Sequence, residues 1–553
     1  MLKKDMKFKT TPKNGYLFVI KNLFAIMFSI MIVLANKITI TSDIFSSNKE
    51  AFFSKFGVLD ICLFICCFLL TNVGITIIEK IINLSQKKNE YVERTKNVKV
   101  FVAFFMLLII CWLPCVLTFY PGGVFADTTY TLLMAKGEAV INNHQPLLYT
   151  WIWEIMYGIG GLFALSEYHV IFLCTIVQAI AMALVISCFL YSLYKKGFSK
   201  KFIILSTIYF GLFNLIPLYV VSLWKDTFFS IFFFAFSVLL FNIFWNRAEE
   251  RKFIKWQTIL LYSVLAYLIS FSRNNGIYAF FFFTVVLLVY FAYHKEKRLL
   301  KYSAIISFIL ICVFSVIRGP IYDSFKYNVD DKVESFGIPL QQVCYIIENN
   351  GDVSNEDMEV INNIIPQEDI HKLYCPLIVD KIKWAPSFNK EYLNDHYRLF
   401  LRTYLNIVRK NPIKALKGWA LANEGFWDIS RQNGAGYIHN TMWFTLSYPI
   451  RDVVKDKCGF SFQNLYSVDK KISSALFAWF IFLSVVIGYR RRRGGSYLAL
   501  MPAIGIWITM IVATPLAYSL RYVFPLVLLV PMGIAVMIAP KYSLLNTESF
   551  TEI

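Results

Sequence analysis

The sequence predicts an all-α polytopic membrane protein. Composition carries the first argument: of 553 residues, 57% are hydrophobic, 17% aromatic and 16% charged, with a mean hydropathy of +0.54. A soluble chain of this length has no interior large enough to hide so much apolar surface. Run length carries the second. The apolar stretches are about 20 residues long, which suits a helix crossing the hydrocarbon layer and is twice what a barrel strand needs. Charge placement carries the third. The net charge of +19 falls in short loops between the apolar stretches. Basic residues there orient spans, so nucleic acid is excluded as a partner.

About twelve transmembrane helices are predicted, at 16–36, 58–78, 98–119, 168–193, 202–222, 226–246, 255–272, 276–294, 302–319, 470–489, 496–516 and 521–540. The basic N-terminus (Lys3, Lys4, Lys7, Lys9, Lys13) leads into a full-length span, which reads as a retained anchor. Further basic clusters lie at 80–99, 195–201, 247–255, 295–301 and 490–493. Setting all of them in the cytoplasm leaves every other loop outside and both termini cytoplasmic, in the plasma membrane. The apolar run 147–165 would invert that order if it crossed. It is therefore expected to be a helix lying on the outer interface, with Tyr149, Trp151, Trp153 and Tyr157 as an aromatic belt.

The chain divides into two additional N-terminal spans (1–97), a membrane module (98–319), a mostly helical extracellular domain inserted before the last three spans (320–469), the C-terminal spans (470–540) and a cytoplasmic tail (541–553). Within 390–410 apolar residues recur at helical spacing. Most of the eleven cysteines lie in spans as small hydrophobes. Cys344, Cys375 and Cys458 match no zinc or redox spacing, which leaves a disulfide among them open.

The chemistry-bearing residues gather on the predicted outer face. Asp127 follows a Pro-Gly-Gly break at the start of 121–149, and His144 precedes Pro146 near its end. Lys225 and Asp226 (SLWKDTFF), Arg273, Asn274 and Asn275 (SFSRNNGIY), and Arg521 and Tyr522 (AYSLRYVFP) occupy three tight turns. Ionisable groups at membrane depth are expensive and are usually paired or functional. Two carboxylates can share a divalent cation, or one can act as a general base. The cations and amides suit a phosphate. Each residue also has a plainer role. Asp127 can cap a helix beginning near Thr128, Asp226 can pair with Lys225, and the two arginines can anchor span ends. Glu424, Trp427, Asp428 and Arg431 (NEGFWDISR) form a further cluster, either structural or at the site.

Asp127 in VFADTTY, followed by HQPLLYTW, with Asp226 in WKDTFF and Arg521 near the outer end of a late span, resembles membrane glycosyltransferases of the GT-C fold. These include the protein O-mannosyltransferases and the aminoarabinose transferases of lipid A, and a Gram-positive subgroup looks nearer still. The resemblance implies a catalytic Asp127 and a second acidic residue, Asp226. It implies a polyprenyl-phosphate sugar donor whose phosphate meets Arg521 or Arg273, and the placement of the remaining polar residues adds Lys225 as a phosphate contact and His144, Asn274, Asn275, Tyr522 and Glu424 around the substrates. Asp127 and Asp226 would hold Mg2+ or Mn2+ if a cation takes part. The expected activity is transfer of a monosaccharide to a cell-surface glycopolymer outside a bacterial plasma membrane. The chain departs from the pattern in its two extra spans, its single Asp127 where many relatives carry an acidic pair, and its internally placed domain. A flippase or exporter of lipid-linked sugars and a polysaccharide polymerase or ligase are the alternatives.

Overall fold

The computed structural model describes residues 14–40, 51–86, 93–142, 145–249, 255–295, 297–324, 332–431, 472–491, 495–514 and 516–539, with isolated positions between 452 and 459. His144, Cys458, the N-terminal lysines and the 541–553 tail lie outside the described residues.

The protein is an all-α polytopic membrane protein. Its membrane part begins with α1 (Asn14–Lys37) and α2 (Val58–Gln86), joined by a short antiparallel ladder, β1 (Ile38–Ile40) with β2 (Ala51–Phe53), in which Ile38 faces Phe53. Then come α3 (Val98–Thr118), α4 (Ala126–Ala135), α5 (Leu147–Leu162), α6 (Glu167–Lys195), α7 (Lys200–Leu212), α8 (Leu215–Val221), α9 (Lys225–Glu249), α10 (Trp256–Ser272), α11 (Gly276–Tyr293) and α12 (Lys297–Val316). Among the described residues eight helices are long and apolar enough to cross a membrane, nine if α7 and α8, bent by 49° at their junction, form one broken span.

After the short α13 (Tyr322–Ser324) comes a helical body: α14 (Gly337–Glu348), α15 (Asn355–Ile364), α16 (Gln367–Leu373), α17 (Asp380–Lys383), α18 (Lys390–Asp395), α19 (Tyr397–Lys410) and α20 (Pro412–Ala422). The chain returns through α21 (Ser474–Arg490), α22 (Met501–Val512), α23 (Phe524–Leu528) and α24 (Val530–Ile538). The body has its own core, in which Leu340, Ile346, Ile370, Leu393, Phe400 and Ile407 are buried together. Ile38, Ile40 and Phe53 of the β ladder pack against that core, so the ladder and the body share one end of the bundle.

The opposite end is basic. Arg490 pairs with Glu79 at 2.7 Å and donates to Leu17 O, while Arg94 donates to Phe198 O at 2.9 Å. These contacts bring the loops beside α1, α2, α6 and α21 to one level. Helix α5 does not present all its rings outward. Tyr149 and Trp153 turn inward with Cys174 and Leu223, and Trp151 is the exposed one. A half-buried helix places only one face toward lipid, and spacing of three or four residues selects which rings lie on it.

The capping body is fastened by backbone and indole hydrogen bonds. Ala517 N donates to Leu377 O at 3.0 Å, beside an antiparallel bridge between Ile378 and Leu516. Trp507 Nε1 donates to Phe426 O at 2.7 Å, Trp479 Nε1 to Trp427 O at 2.8 Å and Trp419 Nε1 to Ile511 O at 3.0 Å. The three indoles satisfy carbonyls at or just beyond the ends of helical turns, which have no partner within their own helix. Gly425 makes the closest approach: its N–H reaches Ala517 O at 2.8 Å, and a Cβ there would stand 2.6 Å from Tyr518 Cα. Gly425→Val is therefore expected to destabilise the protein by about 1–3 kcal/mol, the usual effect of overpacking. Thermal unfolding in detergent checks this, and an unchanged melting temperature would show that the junction yields.

Candidate functional site

Two helix starts and two turns converge at the capped end. The segment before α4 is extended and lies beside the one before α9, with Gly123 N on Val221 O at 2.7 Å and Leu223 N on Gly123 O at 2.9 Å. Gly122 has φ +144, and a Cβ on it would collide with Thr175 Oγ1, so glycine is needed there. The bend between α7 and α9 frees several carbonyls. Gln178 Nε2 donates to Val220 O at 2.8 Å and Ser222 O at 2.9 Å, and Leu223 O accepts from Thr128 Oγ1 at 2.5 Å and Tyr149 OH at 2.6 Å. Phe125 stacks on Trp224 with ring centroids 3.7 Å apart. These contacts fix the first turns of α4 and α9, which carry Asp127 and Asp226.

Asp127 is not the cap of its helix. The helix begins at Ala126, with Phe125 in the cap position, so Asp127 lies within the first turn, where the helix dipole favours an anion. Asp226 holds the equivalent place in α9 and is 1% exposed. Its Oδ1 lies 3.2 Å from Arg273 Nη1 and its Oδ2 3.6 Å from Arg521 Nε. Neither oxygen accepts a hydrogen bond among the described residues, so two guanidiniums hold this buried carboxylate by charge. Arg521 Nη2 also meets Asp127 Oδ2 at 3.0 Å, which places one guanidinium between the two carboxylates.

Tyr522 separates the two arginines. Arg273 donates to Tyr522 O at 2.9 Å, Arg521 donates to the Tyr522 hydroxyl at 3.2 Å, and both guanidiniums lie over its ring, at 5.0 and 4.8 Å from the centroid. Arg521 also lies over Trp224, at 5.3 Å. Lys225, half-buried at the start of α9, is within electrostatic reach of Asp127, Asp226, Arg273 and Arg521. Three cations, Lys225, Arg273 and Arg521, thus surround Asp127 and Asp226.

The other sequence candidates divide. Asn274 accepts from Arg318 Nη2 at 3.4 Å, and Asn275 precedes α11 without a side-chain cap bond. Glu424 belongs to a separate buried pair, its Oε2 3.7 Å from Arg431 Nε, with Arg431 lying over Tyr518. Burial pushes the Glu424 carboxyl up to about 8, more than Arg431 pulls it down. Sequence reading passed over Asp380, which opens α17 just beyond the Ile378–Leu516 bridge and interacts with Arg521 through its charge. Desolvation raises its pKa, which Lys383 opposes. Only the short apolar stretch Leu377–Val379 precedes Asp380, far less than a span, so nothing local marked it. Among the described residues no three His, Cys, Asp or Glu side chains gather as a metal site.

Residues 129–547 match a family of unknown function, DUF6020, and the chain belongs to that family. No curated protein and no solved structure matches it. The matched stretch begins just after Asp127 and holds Lys225, Asp226, Arg273 and Arg521.

Two measurements probe the buried charges. Asp226→Ala takes the carboxylate from beside the buried Arg273 and one of the two from beside Arg521, so a loss of about 3–5 kcal/mol is expected, read by denaturation in detergent. Glu424 binds its proton more tightly folded than unfolded, so stability falls as pH rises from the ordinary carboxyl range through about 8 and levels above it. Glu424→Gln is expected to remove that slope from melting temperatures taken between about pH 5 and pH 9. Parallel wild-type and variant curves would place the slope elsewhere.

Proposed function

We propose that the protein is a GT-C-type glycosyltransferase that moves a monosaccharide from a polyprenyl-phosphate donor to a hydroxyl of a cell-surface glycopolymer, on the outer face of a bacterial plasma membrane. The observation that carries the reading is Arg521 set between Asp127 and Asp226, with Arg273 and Lys225 beside it, at one end of an apolar helix bundle. A phosphate on a lipid carrier needs cations at the depth where the hydrocarbon stops, and a sugar transfer needs a carboxylate within reach of the acceptor. The eight long helices, the bent pair and three shorter apolar helices together support twelve spans, with both termini cytoplasmic.

In this reading the acceptor hydroxyl oxygen attacks the anomeric carbon and the bond from that carbon to the phosphate oxygen breaks. The hydroxyl proton passes to Asp127 and the electron pair leaves with the lipid phosphate. Charge grows on the phosphate in the transition state, so Arg273, Lys225 and Arg521 strengthen their hold as the bond breaks. The incoming phosphate competes with Asp127 for Arg521, which ties the release of the base to the arrival of donor. A divalent cation shared by Asp127 and Asp226 would have to take the place of the Arg521 guanidinium. The donor set of two carboxylates among three cations fits that poorly, and no step is assigned to it. Among the described residues the buried charged groups of the spans (Asp60, Lys196, Asp226, Arg273, Arg491) lie at helix ends, which favours a transferase over a flippase with a polar path through the membrane.

Asp127→Asn is expected to lower transfer by about 10²–10⁴-fold, the usual share of a general base, while the protein stays folded. The sugar composition and chain length of the surface polymer from cells making wild type or variant check this. Loss of one sugar from an intact backbone supports the reading. Normal decoration removes Asp127 from the mechanism, and a collapse in chain length points to a polymerase.

A further inference from the structure

Arg318 lies at the end of α12, and the mechanism above does not use it. Helix α12 presents an apolar surface outward: Ile305, Phe308, Ile309, Val313 and Val316 are all exposed, and almost none of the span Lys301–Ile321 is buried by the protein. At its end the winding widens to a π-helical turn, Ile317–Ile321, which contains Pro320. Proline has no N–H to continue the ladder, and such turns often re-aim a side chain at a functional place. Here the half-buried Arg318 guanidinium lies 5.4 Å over the Phe314 ring, and Phe314 packs on Phe271 of α10. An arginine that only anchors a span end extends toward water. Arg318 instead turns back to the loop between α10 and α11 and donates to Asn274 Oδ1 at 3.4 Å, a long bond that a stronger acceptor can displace.

The neighbouring residue completes the line. Arg273 precedes Asn274 and meets Asp226 and Tyr522 O. One short turn therefore links a guanidinium at the lipid-facing edge to a guanidinium in the buried cluster. We infer that Arg318 is the outermost phosphate contact of the site, meeting a lipid monophosphate that approaches from the bilayer beside α12 and passing it across the 273–275 turn to Arg273. The inference rests on the proposed lipid-phosphate substrate, and it adds the side from which that substrate arrives and a residue that receives it. Phosphate offers more charge and more acceptor oxygens to a guanidinium than the Asn274 amide does. The isoprenoid carrier would lie along the exposed face of α12.

The test uses the full-length protein in lipid nanodiscs with undecaprenyl phosphate as the probe, its binding followed by native mass spectrometry. Arg318→Gln is expected to weaken binding about tenfold, the effect of losing a charge-assisted hydrogen bond, and Arg318→Lys to keep most of it. Arg318→Met, which retains the aliphatic stem, reads the same loss should the Gln variant fail to fold. Excess phosphatidylglycerol and excess inorganic phosphate are expected not to displace the probe. Unchanged binding by Arg318→Gln overturns the inference, as does equal competition by phosphatidylglycerol, which would make Arg318 a headgroup anchor. Displacement by inorganic phosphate overturns the lipid approach. If the wild type binds no undecaprenyl phosphate, the proposed function fails as well, whereas wild-type binding with an indifferent Arg318 removes this inference alone.

Discussion

The buried carboxylate of Asp226 is the constraint on which the capped end of the bundle depends. An ion taken out of water costs several kcal/mol even after the surroundings relax, and only opposite charge close by offsets it. The two guanidiniums come from distant parts of the chain, Arg273 after α10 and Arg521 before α23. Holding them beside Asp226 sets the positions of three helix ends at once. Arg521 then reaches Asp127 and brings the start of α4 into the same arrangement. Tyr522, with one arginine on its carbonyl and another on its hydroxyl, keeps the two like charges apart while offering both a ring face.

The same end of the molecule is where regular helix stops. A break within or beside the hydrocarbon leaves carbonyls that water cannot reach, so the protein must supply donors. Gln178, Thr128 and Tyr149 do this for 220–223, and Trp419 and Asn423 do it for Ile511. Function benefits from such breaks because they point side chains at one place instead of around a cylinder. The helical body over this end contributes Asp380 toward Arg521 through a segment hydrogen-bonded to 516–517. The body and the charged cluster are thereby one structural unit, which suits the proposed transfer between a lipid-borne donor and an outer acceptor.

Some features were visible before any coordinates. Charges beside long apolar runs are conspicuous, so Asp127, Lys225, Asp226, Arg273 and Arg521 stood out, and they do meet. Their partners were not visible. Lys225 and Asp226 are neighbours that begin a helix and leave it in different directions, whereas the ion pairs join residues from separate elements, in the case of Arg521 hundreds of positions apart. Glu424 read as part of a loop cluster and is a buried acid with its own arginine, because its surroundings come from α21, α22 and the 516–518 segment. The β ladder at 38–53 is too short for a pattern of alternation to register.

The sequence by itself determined the class of protein, the placement of its helices and the end of the bundle that carries charge. Those follow from local rules, since a bilayer demands about twenty apolar residues per crossing and makes every charge near it expensive. Tertiary structure alone decided which guanidinium holds which carboxylate, that Tyr149 and Trp153 face inward, and that Arg318 turns toward Asn274. Such pairings depend on how helices cross and where they bend, and no spacing along the chain encodes a contact between elements that meet only after the bundle has closed.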